Sequence, residues 1–98
     1  MINKVLIAED HETSNLSIQK VMEELGIKQI DYVYYCDDAL KQIRQAVERK
    51  PSYDLLITDL YFEDDGQPQQ LTGGLQLIPA ARVLQPDLKI LVFSAENK

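Results

Sequence analysis

The sequence predicts an α/β fold, a parallel sheet with helices on both faces. Short apolar runs without polar alternation suit strands covered on both sides. Stretches of helical period lie between those runs, and strands alternating with helices at such short separations imply right-handed crossovers. Three of the runs end on polar residues, at Glu9-Asp10, Asp59 and Ser94. The carboxyl edge of an open α/β sheet is where ligands bind, so three predicted strands deliver their polar ends to one place.

The first predicted strand is Lys4-Val5-Leu6-Ile7-Ala8, which leads into Glu9-Asp10. From about Ser14 to Leu25, Ile18, Val21, Met22 and Leu25 recur at helical spacing, and Gly26 follows as a natural stop. Ile30 to Cys36, rich in Tyr and Val, is the second strand. Asp37 or Asp38 can cap a second helix with the face Leu40, Ile43 and Val47, which Lys50-Pro51 ends. Asp54 to Asp59 is the third strand, followed by a long acidic loop containing Glu63-Asp64-Asp65 and closing on Gly73-Gly74. Leu75 to Leu84 is the third helix, with Pro79 placed near its first turns, where a missing N–H costs least. Pro86 closes that helix, and Lys89-Ile90-Leu91-Val92-Phe93 is the fourth strand.

A chain of 98 residues that is 45% hydrophobic can bury one core, so residues 1–98 are expected to form one domain without a linker. The net charge of -6 and the scattered Lys and Arg argue against nucleic acid or an anionic membrane as partner. The single cysteine, Cys36, cannot form an internal disulfide, which points to a reducing, cytoplasmic compartment. The N-terminal apolar run Val5–Ala8 is too short for a signal-peptide core or a membrane span.

Carboxylates converging on one sheet edge repel, by about 4 kcal/mol for a pair at about 4 Å with an effective dielectric of about 20. Either one of them protonates or a cation sits between them, and an all-oxygen, partly open site favours Mg²⁺. Such an ion prepares a site for phosphoryl transfer with Asp59 as acceptor, and Ser94 offers a hydroxyl donor to a phosphoryl oxygen. A hydrolase forming an aspartyl-phosphate would want a second acid two residues on, where this chain has Tyr61. A flavin or nucleotide carrier would want phosphate-binding donors in the first loop, where Glu9-Asp10 would repel the phosphate. His11 reads as a solvated loop residue, Cys36 as a small buried apolar one, and Tyr32, Tyr34 and Tyr35 as strand packing.

The motifs VLIAED, DLLITDL and ILVFSA, in this order on these elements, resemble the receiver domain of two-component response regulators along the whole chain. The resemblance implies a flavodoxin-like fold with five parallel strands in order 2-1-3-4-5. It implies that Glu9 and Asp10 hold Mg²⁺, with Asp59 as a further ligand and as the residue phosphorylated by a sensor histidine kinase or phosphotransfer protein. It further implies that Tyr61 ligates the metal through its carbonyl and that Ser94 engages the phosphoryl group and transmits the switch. The domain would be a signalling switch that catalyses only its own phosphoryl transfer. The alternative is a phosphorylation-independent interaction module on the same fold. Two departures stand out: the loop after Asp59 is longer than the family's by several residues, and the chain stops four residues after Ser94. The family's last helix, strand and helix, with a phosphoryl-binding lysine, would then be missing, which gives a C-terminally truncated receiver of order 2-1-3-4. An open fourth strand would leave such a fragment prone to homodimerise by edge pairing or element exchange.

Overall fold

Every side chain from Val5 to Ala8 is fully buried, as an unalternating apolar run requires of a strand with helices on both sides. The computed structural model describes residues 2–60, 62, 71 and 73–93. Among the described residues seven elements follow one another: β1 (Lys4–Ala8), α1 (Glu12–Glu24), β2 (Gln29–Val33), α2 (Cys36–Arg49), β3 (Leu55–Asp59), α3 (Gly74–Leu84) and β4 (Lys89–Phe93). The four strands are parallel in the order β2-β1-β3-β4, with Ala8 opposite Val33 on one side and Thr58 on the other.

The pleat sorts the core into two layers. Leu6, Ala8 and Leu56 face α2 and α3 and join Cys36, Ala39, Ile43, Leu77 and Ala81 in the larger cluster. Val5, Ile7 and Ile57 face the other way, where among the described residues only Met22 of α1 joins them as a buried apolar residue. Fully burying one such aliphatic side chain is worth about 2 kcal/mol, so most of the packing energy lies on the α2–α3 side.

At the amino edge, Asp54 accepts the backbone N–H groups of Asn3 and Lys4 at 2.8 and 3.0 Å. These bonds hold its carboxyl below the usual carboxylate range and fix the start of β1 against β3. The buried Tyr53 donates its hydroxyl to Asp31 at 2.6 Å, and Gln85 donates to the Tyr53 carbonyl at 2.7 Å.

Several boundaries differ from the sequence reading. Helix α1 starts at Glu12 rather than Ser14, and the expected face residues Val21 and Leu25 are 50% and 68% exposed. Its end does fall at Gly26: with φ at 85°, the N–H groups of Gly26 and Ile27 bond the carbonyls of Glu23 and Met22, the paired closure that favours glycine. Strand β2 ends at Val33, not Cys36, because the chain bends at Tyr34-Tyr35 and Cys36 turns inward as the first residue of α2. Asp37 and Asp38 therefore lie within the first turn, where acids complement the helix dipole, and do not cap it. Pro79 is the sixth residue of α3, beyond the first turn, so its ring removes a bond to the Leu75 carbonyl. Leu75 and Pro79 are both exposed, which lets water satisfy that carbonyl.

Candidate functional site

Beyond the register pair Ala8–Thr58, the next residues of the two central strands are Glu9 and Asp59. From this point β1 leads out to β2 and β3 leads out to β4, so both acids stand where the strand order reverses. Strand ladders continue just past them: the Glu9 N–H bonds the Val33 carbonyl at 3.2 Å and the Leu60 N–H bonds the Phe93 carbonyl at 2.8 Å. The acids are thus held on backbone that belongs to the sheet.

Glu9 and Asp59 are fully buried, while Asp10 and His11 are partly open to solvent. One ligand atom from each of Glu9, Asp10, His11 and Asp59 lies within 4.8 Å of all the others. The His11 N–H donates to Glu9 Oε1 at 3.2 Å, whereas the buried Glu9 Oε2 finds no hydrogen-bond partner among the described residues. Burial first, and then the neighbouring Asp10 carboxyl, push the Glu9 carboxyl up to about 7 against the lowering effect of the His11 N–H; the charges of Asp59 and Asp10 add to the rise. A buried carboxylate oxygen without a donor, inside a set of converging acids, is a donor set that fits a divalent cation.

The structure brings together Glu9, Asp10 and Asp59, as the sequence reading expects. Tyr61 and Ser94 lie outside the described residues, as does the Glu63-Asp64-Asp65 run. Cys36 is buried as expected. Burial, then the charges of Asp37, Asp10 and Asp59, push its thiol up to about 12.

Three supports were not anticipated from the sequence. Asn15 of α1, fully buried, donates to the Glu9 carbonyl at 2.9 Å and to the Val33 carbonyl at 3.3 Å, and accepts from Gln19 at 2.8 Å. It ties the first loop to the end of β2. Its signal was its spacing, three residues before Ile18 and seven before Met22, which puts it on the inward face of α1. Asp37 accepts the Leu71 N–H at 2.8 Å and so fixes the far end of the long loop to α2. Gly74, the first residue of α3, sits so close to β3 that a Cβ there would be 2.5 Å from the Asp59 carbonyl oxygen and 3.1 Å from the Leu60 Cα. Its N–H bonds the Leu60 carbonyl at 3.0 Å. Glycine is required here by close approach, not by an unusual dihedral.

No protein-family profile matches the chain, and no curated protein matches it in sequence. Among solved structures it is similar to the response regulator MaeR bound to beryllium trifluoride, at 16% identity and a TM-score of 0.72, over 99% of this chain and 70% of that one. It is also similar to a response regulator receiver protein from Pseudomonas putida, at 24% identity and a TM-score of 0.70, over 96% of this chain and 69% of that one. A response regulator protein from Burkholderia pseudomallei with a phosphorylated aspartic acid, a calcium ion and citrate matches at 25% identity and a TM-score of 0.70, over 94% of this chain and 46% of that one. The chain has the flavodoxin-like fold of a response regulator receiver domain, with strands in the order 2-1-3-4. No helix among the described residues is long and apolar enough to cross a membrane.

Proposed function

We propose that this chain is a phosphorylation switch of a two-component signalling system, with Asp59 as the phosphoacceptor. The observation that carries the reading is the convergence of Glu9, Asp10 and Asp59 at the carboxyl edge of the two central strands. The Burkholderia relative, whose structure holds a phosphorylated aspartic acid and a calcium ion, supports it. In this reading a carboxylate oxygen of Asp59 forms a bond to phosphorus as the phosphorus–nitrogen bond of a donor phosphohistidine breaks, the electron pair returning to the imidazole. Asp10 and Asp59, with Glu9 and the Tyr61 carbonyl, would hold Mg²⁺. That ion supplies neutralisation of the charge that builds as two anions meet.

The remaining work falls to the chain itself. Asp59 is pre-positioned by its strand ladder and by the packing of Gly74 against its carbonyl, so little reorganisation is needed before transfer. Ser94 follows directly on β4 and would donate its hydroxyl to a phosphoryl oxygen. The partner would be a histidine kinase or phosphotransfer protein, and the compartment the cytoplasm.

Beryllofluoride, which mimics an aspartyl-phosphate, gives the test. Fluorine NMR of the chain with beryllofluoride and Mg²⁺ is expected to show a bound resonance that disappears in Asp59→Asn and weakens in Asp10→Asn. A bound resonance that survives Asp59→Asn unchanged removes Asp59 as the acceptor.

A further inference from the structure

We infer that His11 is a ligand of the same metal centre, so that the site takes a first-row transition dication in preference to Mg²⁺. The inference rests on reading the acidic cluster as a metal site, and it adds a nitrogen donor to what is otherwise an all-oxygen set.

His11 Nδ1 lies 3.1 Å from Asp10 Oδ1 and 3.4 Å from Glu9 Oε1, inside the group whose ligand atoms all fall within 4.8 Å. Its backbone is fixed on both sides. The His11 N–H is bonded to Glu9, and its carbonyl accepts the Asn15 N–H at 2.9 Å as the N-cap position of α1. The imidazole makes no side-chain cap to that helix, so helix capping does not account for where it points. A ring nitrogen facing two carboxylate oxygens needs a proton or a cation between them, the proton being available even from the neutral ring. The second, independent observation is Glu9 Oε2, which is fully buried and has no hydrogen-bond partner among the described residues. A proton on His11 would serve the Glu9 oxygen nearest to it, Oε1, and leave Oε2 without a donor; a cation within the cluster engages both acids and the imidazole together.

The chemical class follows from the donors. Mg²⁺ is hard, keeps its waters and selects oxygen, whereas imidazole raises affinity for transition dications relative to Mg²⁺. Three carboxylates with one imidazole form a mixed set that retains some Mg²⁺ binding and favours its softer competitors.

Mn²⁺ is the probe, because it is paramagnetic and pulsed EPR reports a directly bonded nitrogen. The chain loaded with Mn²⁺ is expected to show ¹⁴N modulation from an imidazole, and His11→Phe to abolish it while lowering Mn²⁺ affinity by at least about tenfold, a loss seen even for partners one layer further from a metal. Mg²⁺ affinity, measured in parallel, should change much less, and Asp10→Asn should weaken both ions. Circular dichroism checks that the His11→Phe chain is folded, while the nitrogen signal of the unaltered chain stands without any variant. Bound Mn²⁺ without nitrogen modulation, and with affinity unchanged in His11→Phe, overturns the role of His11 but leaves the acidic metal centre standing. Failure of both ions to bind the unaltered chain overturns the metal centre and this inference together.

Discussion

Glu9 carries a free-energy cost that should be visible in stability. Its carboxyl is raised from 4.5 to about 7 in the folded chain, chiefly by burial, so the metal-free fold binds an extra proton relative to the unfolded chain between those values. Stability of the metal-free protein should therefore fall as pH rises from about 4.5 through about 7, by roughly 3 kcal/mol, and level off above. Urea unfolding at pH 5 and pH 8 measures this; Glu9→Gln should flatten the dependence, and a saturating divalent ion should restore stability at pH 8 by binding only the folded form. The Cys36 thiol, pushed up to about 12, should resist thiol reagents in the native protein and react after unfolding. At this scale the acids were legible because each lies just where an apolar run stops. Asn15 was not, because a polar residue in a helix ordinarily reads as solvent-facing, and its partner Val33 is 18 residues away in sequence. For a related reason His11 is legible only as a loop residue beside two acids, and the direction of its ring toward them comes from the fold.

Helix α3 meets β3 at Gly74, and this contact decides how accurately Asp59 is held. Gly74→Ala would drive a Cβ into the backbone of Asp59 and Leu60 and force the strand end or the helix to move, at a cost of about 1–3 kcal/mol. Gly26→Ala is the matched control: its cost, about 1 kcal/mol, arises from φ at 85°, with open space around the site of the added methyl. Thermal unfolding should report a loss for both, but only Gly74→Ala should weaken metal binding and phosphorylation. Element identity was legible throughout, since every strand and helix read from apolar periodicity is present. The ends were harder to read. Cys36, Asp37 and Asp38 continue the apparent strand-and-cap pattern, yet the bend at Tyr34-Tyr35 starts the helix at least two residues earlier and gives Asp37 a tertiary partner in Leu71 instead of a cap. A contact between a helix start and the end of a loop leaves no periodic signal.

Across the whole molecule the two faces of the sheet are unequally covered. The α2–α3 face holds most of the buried side chains, whereas α1 leaves a groove of about 520 Å³ against Ile57, Leu91 and Phe93. Ile43→Ala should therefore cost about 2–5 kcal/mol, and Val21→Ala, at a half-exposed position, well under 1 kcal/mol. Amides of α1 should exchange faster than those of α2. The alternation of strands and helices was enough to give a parallel α/β sheet, but the order 2-1-3-4 came from the resemblance of the motifs, because periodicity says which residues face inward and not which strands are neighbours. That order matters because it makes β1 and β3 neighbours and so puts Glu9 beside Asp59. The most direct test is to incubate the chain with acetyl phosphate and a divalent ion, trap any acyl phosphate with borohydride and map the modified residue by mass spectrometry. One ion-dependent modification at Asp59, absent from Asp59→Asn, is the predicted result. Modification at another residue, or none under conditions where the ion is shown to be bound, would contradict the assignment of this sheet edge as a phosphoacceptor site.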